Sequence, residues 1–240
     1  MNLDTDNIFV LFNSYFEMVP ATTDELKKEA YKLRYQVYCL ETGFEDPCEY
    51  PSGIECDNYD GQSLHYLIRH RKSGEFAATT RLILPNVSDQ EELLPIESHC
   101  TIDNVAVTQA VNRQHLAEVS RFCVSKSFKR RKNESPTLNA VSPYWEQDYF
   151  TANERRTFPH ITFALIACVI KASQEYGIET LYGTMEAPWL RFLASVGIHF
   201  VKIGPAVDYH GERWPCAIKI SDLLEDVAKK NHTLWELLSV

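Results

Sequence analysis

The chain has 240 residues, 45% apolar and 24% charged, with a formal net charge of −9. That length can bury a sizeable core as one domain, with or without an insertion, and the acidic balance speaks against the basic footprint that nucleic acid requires. The seven cysteines (39, 48, 56, 100, 123, 168 and 216) form no CxxC pair or zinc-spaced cluster, and MNLDTDNIFV lacks a secretory pattern.

In chain order, Tyr15–Val19 predicts a first strand. Thr22 and Glu25 have capping-box spacing, and the helix they open places Leu26, Ala30, Leu33 and Val37 on one face before a stop near Gly43. GFEDPCEYPSG is punctuated as a loop. Leu64–His70 and Phe76–Leu84 form a hairpin about the turn RKSGE. The segment 85–100 leaves room for a short helix, and 102–107 is open between strand and loop. HLAEVSRFCVSK then gives a strand over Glu118–Val124. A basic stretch, SKSFKRRKNESP, and an aromatic one, SPYWEQDYFTANERRTFP, suggest an inserted loop or lid over about 127–159. His160–Tyr176 is a buried helix capped by Gly177. Its apolar run Ile161–Ile170 is far shorter than the roughly 20 residues of a membrane span. Thr180–Met185 is a strand, Trp189–Val196 a helix, His199–Ile203 and Ala217–Ile220 strands, and about 221–239 a closing helix. The interleaving implies a mixed α/β sheet, mostly antiparallel, with helices on both faces.

Glu118 and Arg121 stand out, because a core strand accepts unpaired charge only at a high cost. In a regular strand, residues three apart face opposite sides. A β-bulge near Val119–Phe122 would re-aim them.

This order of elements resembles the GNAT acyltransferase superfamily. Arg34 on the first helix, Asp57-x-x-Asp60, Arg81 and Glu118-x-x-Arg121 resemble, as an ordered set, the acyl-homoserine-lactone (autoinducer) synthases. LRYQVYCLETGFEDP, ECDNYDGQSLHYLIRH, AEVSRFCVS and DYHGERWPCAIKI look closer to the PEP-CTERM/exosortase-associated acyltransferases and the long-chain N-acyl amino acid synthases. The resemblance runs from about Tyr15 to Ile220. It implies a single GNAT-like domain with a bulged central strand. The implied activity is transfer of a long-chain acyl group from a carrier thioester to the amine of an amino acid. The lactone synthases carry a Trp in the loop after the first helix; here Phe44 is the nearest aromatic, which weakens S-adenosylmethionine as the acceptor.

On this resemblance Glu118, Arg121, Asp60 and Arg81 are the expected catalytic residues. Glu118 would manage the amine proton, with a carboxyl pKa raised by an apolar site. Arg34, Tyr38, Asp57, Phe122, Cys123 and Val124 would bind substrate, the bulge supplying oxyanion donors. Arg34, Arg81 and Arg121 against Asp57, Asp60 and Glu118 would form a charge network, from which one partly free Arg could clamp a substrate carboxylate. A purely structural ion network is the bland reading. Cys123 has no evident His partner and reads first as a small buried hydrophobe. Lys126, Lys129, Arg130 and Arg131 would meet the donor's phosphopantetheine. The missing Gly-rich pattern favours an acyl carrier protein as partner over free coenzyme A. No tightly bound cofactor, metal, nucleic acid or membrane span is expected, and a cytoplasmic location is. Tyr144, Trp145, Tyr149 and Phe150 could cover an acyl tunnel, and Phe163, Ile166 and Ile170 could line it. The rival readings are a lactone synthase using S-adenosylmethionine and a non-catalytic protein that binds acyl carriers.

Overall fold

The computed structural model describes residues 6–86, 92–109, 111–128, 152–208 and 211–239. A helix unforeseen in the sequence, α1 (Asp6–Tyr15), leads into β1 (Phe16–Pro20). In α2 (Asp24–Arg34) the cap is Thr23, not Thr22: its Oγ1 accepts the Leu26 N–H at 3.3 Å. The first helix then does not run on as regular α-helix to Gly43. Tyr35–Glu41 winds as a π-helix, and the Thr42 N–H and hydroxyl both donate to the Val37 carbonyl. Such wide turns recur at functional sites. Gly43 ends it with φ +65°.

The hairpin is β2 (Ser63–His70) and β3 (Phe76–Ile83). Two short helices follow, α3 (Pro95–His99) and α4 (Val105–Thr108), the second overlapping the stretch that the sequence leaves open between strand and loop. Next come β4 (Leu116–Val124), α5 (Ala152–Glu175), β5 (Thr180–Met185), α6 (Ala187–Ser195), β6 (Val201–Lys202), β7 (Val207–Asp208) and β8 (Glu212–Lys219). Instead of one closing helix there are α7 (Ile220–Lys230) and α8 (His232–Leu238). Asn231 breaks between them and caps the second, its side chain accepting the Leu234 N–H. α5 begins before His160 and carries Pro159 inside it. The missing proline N–H forfeits one helix bond, and the buried run from Ile161 to Ile170 carries the helix through. Positions 152–159 of the expected insertion are therefore helix, and 129–151 lie outside the described residues.

The eight strands among the described residues order as β1-β2-β3-β4-β5-β8-β6, with β7 beside β8. β4 and β5 are parallel, with Leu116–Glu118 registered on Thr180–Tyr182; β1–β2, β5–β8, β6–β8 and β7–β8 are antiparallel. β4 keeps strand pairing past Glu118 but turns at Arg121. Its φ of +52° makes it the one described non-glycine residue in the left-handed region. The break falls inside the stretch where a bulge was expected, and a non-glycine residue there is strained.

The sequence reads as one domain; the contacts gather the chain into two compact units, each drawn from three segments. Unit 1 takes Met1–Asn58, Leu64–Arg81 and Arg121–Cys168. Its core packs Ala30, Leu33, Val37 and Tyr38 of the first helix and its π-helical extension with Leu67 and Cys123, and Phe44 closes over it. Unit 2 takes Tyr59–Ser63, Leu82–Ser120 and Val169–Val240. Its core packs Ile83, Leu94, Ile96, Leu116, Tyr182, Ile203 and Ala217.

In unit 2 the chain passes Gly204 so closely that an added Cβ would lie 1.9 Å from the Thr101 carbonyl oxygen, whereas one at Gly61 would meet nothing within 4 Å. Gly204→Ala is expected to destabilise the protein by about 1–3 kcal/mol, and Gly61→Ala by less than about 0.5 kcal/mol. Urea unfolding midpoints check the contrast.

Candidate active site

Unit 1 holds a charge network built around Glu55, which has no solvent exposure. Its backbone N–H donates to the Tyr31 carbonyl (3.2 Å), pinning the 53–57 loop to α2. The loop enters through Gly53 at φ +68°. Arg34, in the last turn of α2 and likewise fully buried, donates from Nε to Glu55 Oε2. Arg121 donates from Nε to both carboxylate oxygens (3.2 Å each) and from Nη2 to Oε1 (3.0 Å). Burial alone would push the Glu55 carboxyl up; the hydrogen bond and charge of Arg34, then of Arg121, outweigh it and hold the pKa at about 2. Arg121 stays well above its ordinary range: burial opposes its charge, but Glu55, Tyr38 and Asp57 favour it.

The network extends outward. Arg81, 1% exposed, donates from Nη1 to Asp57 Oδ1 at 2.6 Å. Arg121 Nη2 lies 3.6 Å from Asp57 Oδ2 and 3.8 Å from Glu45 Oε1. The π-helical stretch brings the Tyr38 ring beneath Arg121, with Cζ 5.4 Å from the ring centre, a cation–π arrangement. Arg34 stands 5.2 Å from the Tyr31 ring.

Of the network expected from the resemblance, the structure brings Arg34, Asp57, Arg81 and Arg121 together in unit 1, with Tyr38 beside them, while Asp60 and Glu118 belong to unit 2; the central anion, Glu55, was not among the expected residues. Glu55 opens the quoted stretch ECDNYDG, and the signal for it was charge balance: buried guanidiniums require a buried carboxylate. All three guanidiniums are engaged by Glu55 or Asp57. Cys123 and Val124 are buried strand residues and Phe122 is half-buried; Cys123 belongs to the apolar core, as its bland reading held.

At the end of β4, Glu41 reaches across to accept the Lys126 backbone N–H (2.8 Å) and the Gln36 amide (2.7 Å). Lys126 itself is exposed. Lys129, Arg130, Arg131, the aromatic residues 144–150 and His210 lie outside the described residues.

Unit 2 holds Glu118. It is 4% exposed, and its Oε2 accepts the Ile96 N–H at 2.9 Å, in the first turn of α3. Asp60, 5% exposed, sits on the 3-10 turn Asn58–Gln62. A cavity of about 470 Å3 is lined by Glu97, Cys100, Ile102, Thr108, Val111, Arg113, Leu116 and Tyr182, none of which the sequence singled out. Arg113 forks onto Glu97 with contacts of 2.7 and 2.9 Å. Burial and then the negative Glu118 raise the Cys100 pKa, and burial followed by Glu97 pushes Tyr182 up to about 12. All seven cysteines are free thiols. Among the described residues, no three or more His, Cys, Asp or Glu side chains are grouped to hold a metal ion, and no helix is long and apolar enough to cross a membrane.

Residues 33–138 match the family model of an acetyltransferase (GNAT) domain. The same fold recurs in TofI, solved in a ternary complex with an inhibitor and MTA; the two are 18% identical, with a TM-score of 0.57, over 92% of this chain and 99% of that one. The chain has the GNAT fold. BjaI, a CoA-dependent acyl-homoserine lactone synthase solved with SAM and isopentyl-CoA, shares it at 17% identity and a TM-score of 0.55, over 94% and 88% of the two chains. FeeM, an N-acyl amino acid synthase from uncultured soil microbes, shares it at 14% identity and a TM-score of 0.55, over 90% and 97%. No curated protein matches the sequence. The family match and the GNAT fold together support an acyltransferase.

Because its pKa in the folded chain lies below the ordinary value of 4.5, Glu55 contributes stability that is complete above about pH 4.5 and lost as pH falls toward 2. Glu55→Gln leaves two buried guanidiniums without their anion and is expected to cost about 3–5 kcal/mol at pH 7. The gap between wild type and variant should narrow below pH 4.5, as read from urea midpoints at pH 7, 4 and 2.5.

Proposed function

We propose that the protein is an N-acyltransferase that moves a long-chain acyl group from a carrier thioester to the amine of an amino acid or similar small molecule. The observation that carries this reading is Glu118: a buried carboxylate on β4 of a GNAT fold, close enough to a substrate-sized cavity that its charge is felt by Cys100 in the wall. A ligand site of this kind commonly spans about 300–1,000 Å3.

In this scheme Glu118, directly or through a water, takes the proton of an ammonium substrate. The neutral amine attacks the thioester carbonyl. A C–N bond forms, the C–S bond breaks, and the thiolate leaves and is protonated. No acyl-enzyme is needed, since holding both substrates together lowers the barrier by several kcal/mol. Backbone N–H groups at the Arg121 turn would serve the oxyanion. The Arg34–Glu55–Arg121 cluster, with Asp57, Arg81 and Tyr38, would fix that turn, and Asp60 is assigned to the acceptor side. Lys126 and the basic run through Arg131 are assigned to an acyl carrier protein, with acyl-CoA as the alternative donor.

The second reading, a lactone synthase using S-adenosylmethionine, is favoured by the likeness to TofI and BjaI. It is opposed by Phe44, the nearest aromatic in the loop after the first helix, where the lactone synthases that the sequence resembles carry a Trp; Phe44 packs against the unit 1 core.

Lipid extracts of cells expressing wild type and Glu118→Gln separate the readings by product mass. New N-acyl amino acids with wild type alone support the proposal, and acyl-homoserine lactones support the second reading. Glu118→Gln is expected to lower turnover by about 10²–10⁴-fold with the fold intact by circular dichroism. A wild type that binds acyl carrier without releasing thiol, for any amine supplied, overturns both.

A further inference from the structure

The π-helical turn carries Glu41 to the end of β4. Gln36 and Glu41 are five residues apart, the spacing that a π-turn brings onto one face, and the Gln36 amide donates to Glu41 Oε1 at 2.7 Å. From the other side the Lys126 backbone N–H donates to Glu41 Oε2 at 2.8 Å, and the Ser125 hydroxyl donates to Oε1 at 3.4 Å. Ser125, 2% exposed, is itself fixed: its oxygen accepts from the Gln36 amide at 3.0 Å, and its backbone N–H donates to the Ala77 carbonyl at 2.8 Å. All of these groups belong to unit 1, and Glu41 is half-buried among them.

This seat differs from that of Glu55. Glu55 is held by two guanidiniums, whereas the donors to Glu41 are an amide, a hydroxyl and a backbone N–H, all neutral. Backbone N–H and hydroxyl groups are also what a phosphate oxygen uses. A phosphate arriving at this end of β4 would have to take the Lys126 N–H from Glu41 and then stand beside a like charge, which Coulomb repulsion opposes. The uncharged amides of a pantetheine arm meet no such cost. Free coenzyme A brings a diphosphate and a ribose phosphate. A carrier-bound arm brings a single phosphodiester, anchored on its own protein.

We propose that Glu41 is a donor-specificity residue: its carboxylate occupies the hydrogen-bonding position at the end of β4 that a donor phosphate would take, so an acyl-CoA gains no affinity from its nucleotide phosphates. The inference rests on the acyltransferase reading above and its assignment of Lys126 to the donor. It adds the donor class, a thioester recognised by its acyl-pantetheine part and carried on a single phosphodiester.

The test uses the full chain and two probe thioesters, octanoyl-CoA and octanoyl-pantetheine, the second without any phosphate. Their dissociation constants are measured by calorimetry with no amine present. Wild type is expected to bind octanoyl-CoA no more tightly than octanoyl-pantetheine. Glu41→Gln keeps an acceptor for the Lys126 N–H and removes the charge, and is expected to strengthen octanoyl-CoA relative to octanoyl-pantetheine by about tenfold. Glu41→Asp, which keeps the charge, is expected to hold the wild-type ratio. A wild type that prefers octanoyl-CoA by about tenfold or more overturns the proposal without any variant. So does a Glu41→Gln ratio equal to that of wild type, including the case in which both thioesters weaken together, which is what a merely structural role predicts. Failure of wild type to bind either thioester overturns the acyltransferase reading, and the donor role with it. The expected ratios with no thiol released, for any amine supplied, overturn the acyltransferase reading alone and leave the binding preference standing.

Discussion

Glu55 is a carboxylate with no solvent-exposed surface, and two guanidiniums make that tolerable. Each member constrains a different stretch of chain. Arg34 fixes the end of α2, Glu55 fixes the loop that follows Gly53, and Arg121 fixes the turn in β4. The left-handed backbone at Arg121 is strained for a residue with a side chain. The bonds from Arg121 to Glu55, and the Tyr38 ring beneath it, are what hold it there. A buried ion pair is weak evidence for net stability. Its value here is conformational: it defines the β4 turn on which the proposed oxyanion donors depend.

Within the network Arg34 and Arg121 donate to Glu55, and Arg81 donates to Asp57. The groups of the cluster nearest solvent are acids: Asp57 and Glu45 have side-chain exposures of 29% and 18%, against 0% for Arg34 and 2% for Arg81. Unit 2 shows a related pairing. The Glu97–Arg113 pair in the cavity wall is closed by two contacts of 2.7 and 2.9 Å.

Much of this was legible in the sequence. Alternation and turn residues gave the hairpin within a residue at its ends, and β5 was placed at Thr180–Met185 as found. Glu118 and Arg121 stand out because charge in an apolar strand is costly enough to demand a reason, whereas Arg34, Asp57 and Arg81 come from the ordered resemblance to the autoinducer synthases. Local rules failed where tertiary packing outvoted them. Pro159 reads as a helix breaker yet lies inside α5, because the buried run beyond it outweighs one lost hydrogen bond. The Thr22–Glu25 spacing reads as a capping box, yet Thr23 makes the bond.

By itself, then, the sequence determined a mixed α/β sheet and most of its elements from Tyr15 onward, while the GNAT-like architecture and the charged positions to inspect came from a family resemblance. The elements follow from periodicity and turn residues, both local properties of the chain. Only the tertiary structure decided which charges meet. Glu55 became the hub because the loop after Gly53 folds back onto α2, and the pairing of residues 34, 55 and 121 depends on long-range closure that no spacing encodes. The cavity likewise exists only when residues from 97 to 182 converge on one face of β4 and β5.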